Sequence, residues 1–184
     1  MQQAEPGCCH RLPTSKETTL SLADYGSVDV KILEIARLYW QTFAMPQSQS
    51  WLTASIRADR GFRGRQGGEV AMKTLAAVQA MRMSRVSCFR FNAPDCPGCS
   101  QIVSEHERQF MSVLQAVRED RPGAARTHAM LLCEGNETEP LISSMAMLAR
   151  AASPVSAGTG KSPASVRRRK RRMLFPAGSS GRAA

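Results

Sequence analysis

With 184 residues and a formal charge of +10, the chain has room for one domain and little for a second. The charge is unevenly spread: from Ser153 to Ala184 stand eight basic residues and no acidic one, so the other 17 basic groups face all 15 acidic groups at a net of +2. The high pI is therefore a property of the tail. No stretch approaches the roughly 18 consecutive apolar residues of a membrane span, and the polar start, Met1 to Leu22, lacks the apolar core of a secretory signal.

Six cysteines in a chain without an export signal are expected to be reduced, which favours metal or thiol roles over a disulfide framework. The expected location is the cytoplasm, or the nucleus in a eukaryotic cell. Residues 1–26, with Cys8-Cys9-His10, read as a flexible leader. The segment 27–151 holds both tryptophans, five of the six phenylalanines and nearly all of the helix-periodic apolar residues. It reads as a helical domain, followed by a disordered basic tail over 152–184.

Within the domain, Ser27 is a good N-cap, and Val28, Ile32, Ile35, Tyr39 and Phe43 repeat at helical spacing until Pro46. A shorter helix starting at Ser48 or Ser50 carries Trp51, Leu52 and Ile56. Gly61 to Gly68 reads as a loop on composition. Glu69 to Arg82 returns to helix, with Val70, Thr74, Ala77 and Met81 on one face. Val86 to Phe91 is the only strand-like run: Val86, Cys88 and Arg90 alternate with Ser87, Phe89 and Phe91. One strand makes no sheet, so an extended segment packed on helices fits equally well.

After a Pro/Gly/Cys loop over Asn92 to Ser100, Ser104 and Glu107 form a capping box, and Phe110, Val113, Leu114 and Val117 supply an apolar stripe. Pro122 opens another helix through Cys133, stopped by Gly135. The last helix follows Thr138, turning Leu141, Met145 and Leu148 inward. The expected fold is mainly α, a small bundle-like domain of five to six helices with one short extended segment and a Cys-rich loop.

Cys96-Pro97-Gly98-Cys99 carries the chemistry. Two thiols at this spacing can reach one tetrahedral metal. Cys88 upstream and His106 downstream complete a candidate Cys₃His set of Cys88, Cys96, Cys99 and His106, with zinc as the metal. Cys133 competes as fourth ligand but reads more naturally as a small buried apolar residue. In the redox alternative Cys96 is the nucleophile and Cys99 the resolving thiol. Phe91 to Cys99 resembles the strand, loop and dithiol arrangement of thioredoxin-like proteins. The resemblance covers that stretch alone, has Pro-Gly where thioredoxin has Gly-Pro, and finds no remaining strands downstream.

Arg167, Arg168, Arg169, Lys170, Arg171 and Arg172 form a dense cationic block suited to a salt-dependent phosphate contact without sequence preference, or to an acidic protein. Arg57, Arg60, Arg63 and Arg65 around Phe62 make a second basic patch, read mainly as an exposed loop. Gly158 to Ser162 lacks the first glycine of a P-loop, since Val155 stands there. The helix from Glu139 is too apolar to read a major groove. The expected function is a small non-catalytic binding or regulatory protein with a structural metal at the cysteine loop and a tail that contacts nucleic acid or another polyanion. The alternatives are the dithiol redox protein and a plain helical module that binds a protein partner.

Overall fold

The computed structural model describes residues 12–153. Its architecture is mainly helical, with seven α-helices and one two-stranded sheet among the described residues. The helices are α1 (Ser27–Ala44), α2 (Ser50–Gly61), α3 (Gln66–Ser84), the single turn α4 (Pro97–Ser100), α5 (Glu105–Arg118), α6 (Pro122–Leu132) and α7 (Glu139–Ala152). Six of them carry the domain, as the periodicity predicts. No helix among the described residues is long and apolar enough to cross a membrane. The leader Cys8-Cys9-His10 and the tail block Arg167 to Arg172 lie outside the described residues.

The short sheet belongs to a segment expected to be flexible. β1 (Thr18–Thr19) pairs antiparallel with β2 (Ile102–Val103), Thr18 opposite Val103 and Thr19 opposite Ile102. Leu20, Ala23 and Tyr25 then lean on the core. The pairing gives β2 backbone partners beside the cysteine loop, and the Leu20 N–H extends it with a hydrogen bond to the Gln101 carbonyl at 2.7 Å. No leucine or valine pattern announces a strand of two threonines.

α1 is buried around most of its circumference, from Ile32 and Leu33 to Tyr39 and Trp40. Its N-cap is Gly26 and not Ser27; Asp29 in the first turn is ion-paired to Arg118 of α5. α3 packs most extensively on α7, and α5 on α6, while α2 lies against α1 and α3. Fully buried Met81, Phe110, Leu114, Leu141 and Leu148 form the shared centre, each contributing about 1.5–3 kcal/mol through burial.

α2 starts at Ser50, one of the two starts the sequence offers. Trp51, Leu52 and Ile56 are exposed, and the small residues Ser50, Ala54 and Ala58 face inward. Small side chains let the helix axes approach closely. The same contact puts Gly67 inside α3 instead of in a loop: a Cβ there would stand 2.7 Å from the Asp59 Cα and 2.8 Å from the Ala58 carbonyl oxygen. Gly68 follows within the helix. Only Phe62 to Arg65 connect α2 to α3, and Phe62 is buried. Arg57 and Arg60 of the basic patch thus lie in α2 and not in a loop, and Phe62 is not open on the surface.

Candidate functional site

The cysteine loop is built from the segment between α3 and α5. Beyond Ser84 the chain runs extended without a ladder partner. Its predicted alternation holds from Cys88 onward and fails at Ser87, which is exposed: Val86, Cys88 and Arg90 are exposed too, whereas Phe89 and Phe91 pack on Trp40, with ring centroids 4.4 and 6.1 Å away. The aromatic contacts take the place of a neighbouring strand.

Cys96 then caps α4. Its backbone is extended (φ −96°, ψ 113°), Pro97 occupies the first turn, and the Cys96 Sγ accepts a hydrogen bond from the Cys99 N–H at 3.3 Å. Proline preorganises the turn because its φ already suits a helix start. Cys96 is half-buried, and Cys99 is buried at 4 % exposure. Two cysteines at positions i and i+3 of one turn lie on the same side of it.

A buried ionic node holds both ends of this loop. The Arg37 Nε of α1 donates to Glu107 Oε1 at 2.7 Å. Its Nη1 donates to the Ser100 carbonyl and its Nη2 to the Ile102 carbonyl, each at 2.6 Å. Glu107 accepts from the backbone N–H of Asn92 (3.0 Å) and of Ser104 (2.7 Å). The Asn92 side chain donates to the Ile102 carbonyl at 2.9 Å. Asn92 thus ties down the entry to the loop, and Ser100 and Ile102 tie down the exit. Gln41 adds a hydrogen bond to Asp95 at 3.2 Å, one residue before Cys96.

The capping box at Ser104 and Glu107 forms as predicted. The wider role of Glu107 and the whole of Arg37 were not legible in the periodicity. The signal available was chemical: an arginine inside the apolar run Ile35-Ala36-Arg37-Leu38-Tyr39-Trp40, which a buried charge survives only with a partner.

The four candidate metal ligands are not brought to one point. Cys96 and Cys99 share the α4 turn, while Cys88 and His106 line a different, polar cleft with Arg85 and Arg90. Among the described residues no group of three or more His, Cys, Asp or Glu side chains is placed to hold a metal ion. The His106 ring is occupied: Nδ1 accepts from the Arg90 N–H at 2.8 Å, and Nε2 lies 3.2 Å from an Arg85 guanidinium nitrogen. Burial first, then the Arg85 charge, lowers its pKa from the usual 6.5. A cation approaching Nε2 would meet that guanidinium, so the predicted Cys₃His set is not assembled in this fold. Cys133 is fully buried, with its thiol pushed up by burial, in keeping with the apolar reading.

His128, treated as ordinary from sequence, contacts Gln109 through Nδ1 at 2.7 Å. A second node joins α3 to the α6–α7 turn. Glu134 accepts from the Val86 and Ser87 N–H groups and the Ser87 hydroxyl, and pairs with Arg85 at 3.0 Å. These donors, the Ser87 hydroxyl foremost, hold the Glu134 carboxyl down to about 2. Comparison with family models, with curated proteins and with solved structures finds no match to this chain.

Proposed function

We propose that the protein is a small helical binding or regulatory protein whose Cys96–Cys99 turn acts as a reversible dithiol. The observation that carries this reading is the hydrogen bond from the Cys99 N–H to the Cys96 Sγ, at a turn where Cys96 is half-buried and Cys99 buried. The contact fixes the Cys96 sulfur at the turn, and partial exposure admits a small reactant. Against a disulfide of the glutathione class, the Cys96 thiolate attacks one sulfur, breaks that S–S bond and releases one thiol. The Cys99 sulfur then attacks the Cys96 sulfur of the mixed disulfide, forming the internal bond and releasing the second thiol. Two electrons pass from the protein dithiol to the small disulfide, and the two cysteine protons end on the released thiols.

The anchor gives such a switch a route into the domain. Closing the disulfide constrains the turn whose carbonyl at Ser100 is held by Arg37, so the thiol state biases the contact of α1 with the loop. The tail block Arg167 to Arg172 supplies a polyanion contact in the same reading, with affinity falling as salt rises.

The test is trapping by rapid alkylation after equilibration in mixtures of reduced and oxidised glutathione, with peptide mapping and metal analysis of the same sample. The reading expects a Cys96–Cys99 disulfide that forms and reverses, unchanged in Cys88→Ser. About one zinc per chain, lost in Cys96→Ser, would overturn it in favour of a metal site.

A further inference from the structure

Between the end of α1, the last turn of α3 and the extended segment lies a cavity of about 330 Å³. Its walls are Trp40, Phe43, Phe89 and Phe91, with Met81 beneath them. This volume falls at the lower end of small-molecule sites, and the mix of apolar walls with a few polar groups is the usual composition of one. One observation points to what fills it. At the rim, Arg82 lies over the Phe43 ring at 3.9 Å and donates to Gln79 at 2.7 Å.

The charges at the rim are unequal in availability. Arg85 also borders the cavity, but its guanidinium is spent on Leu132, Ser87 and Glu134. Arg82 makes no ion pair among the described residues and keeps donors to spare, and no carboxylate lines the cavity. A neutral aromatic would leave this positive rim unanswered, and an aromatic cation would be repelled by it.

We infer that the cavity binds a small aromatic carboxylate. Its ring is held among the aromatic walls, and its carboxylate meets Arg82. A molecule of one or two fused rings fits the volume. The site stands apart from the dithiol chemistry and does not depend on it.

The experiment follows the indole N–H resonances of the full chain during titration with naphthaleneacetate, with naphthaleneacetamide as the uncharged control. The chain has two tryptophans, so a Trp51→Phe variant leaves the Trp40 signal alone. The expected result is a saturable shift of the Trp40 resonance. Arg82→Gln should weaken acetate binding about tenfold, the loss of one charge-assisted contact, and leave acetamide binding unchanged. Arg82→Lys, which keeps the charge, should retain most of the acetate affinity and guards against a general loss of structure. An unmoved Trp40 resonance would overturn the inference. So would equal binding of acetate and acetamide with no effect of Arg82→Gln.

Discussion

Arg37 and Glu107 meet at 2.7 Å with side chains 2 % and 0 % exposed, although 70 residues of chain separate them. Around that pair every neighbouring hydrogen bond goes to the backbone or side chain of the segment 92–104, so two helices and the cysteine loop share one anchor. A buried ion pair of this kind is weak evidence of net stabilisation, because desolvation offsets most of the Coulomb attraction. Its removal from one side is another matter.

Replacing one partner leaves the other charged and buried. Arg37→Met and Glu107→Gln should each destabilise the domain by about 3–5 kcal/mol, seen as a lower urea midpoint at unchanged slope. The double variant Arg37→Met/Glu107→Leu should cost less than the sum of the two single changes, since neither charge is stranded. Additive costs would mean that the pair does not act as a unit.

Two adjacent glycines make an internal control for the α2–α3 contact. Gly67→Ala forces a Cβ against the backbone of Asp59 and Ala58, at 2.7 and 2.8 Å, and should cost about 1–3 kcal/mol. Gly68→Ala meets nothing within 4 Å and lies in the same helix, so it should stabilise by about 0.4–1 kcal/mol. Thermal melts of the two variants should move in opposite directions.

Glu134 gives the acid limb of stability a specific source. Its carboxyl is held from the usual 4.5 down to about 2, chiefly by Ser87. A depressed carboxyl contributes stability that is fully present above 4.5 and is lost as pH falls through about 2. Wild type minus Glu134→Gln, followed by denaturation at successive pH values, should therefore narrow over that window and stay constant above it. A difference that does not change with pH would show that the Ser87 bonds do not hold the charged form.

How far the sequence carries depends on which interactions are local. The stripes Val70–Thr74–Ala77–Met81 and Leu141–Met145–Leu148 and the Ser104–Glu107 capping box are set by neighbours three or four residues apart, and all are found where the pattern puts them. The buried face of α2 was not legible, because apolar character alone does not reveal that Ala54 and Ala58, and not Trp51 and Leu52, face the core. Thr18 and Thr19 pair with residues more than eighty positions away, a register that no local signal encodes. At the site, the Cys-x-x-Cys turn was legible from its spacing. Arg37 was not, because its partners lie on segments distant in sequence, and His106 already has both ring nitrogens engaged by Arg90 and Arg85.

The most direct test of the central claim is the fraction of Cys96–Cys99 disulfide in the full chain as the ratio of reduced to oxidised glutathione is varied. The account predicts a single reversible two-electron transition, abolished by Cys96→Ser or Cys99→Ser and unmoved by Cys88→Ser. Both thiols remaining reduced at every ratio would contradict it and leave the turn a structural element.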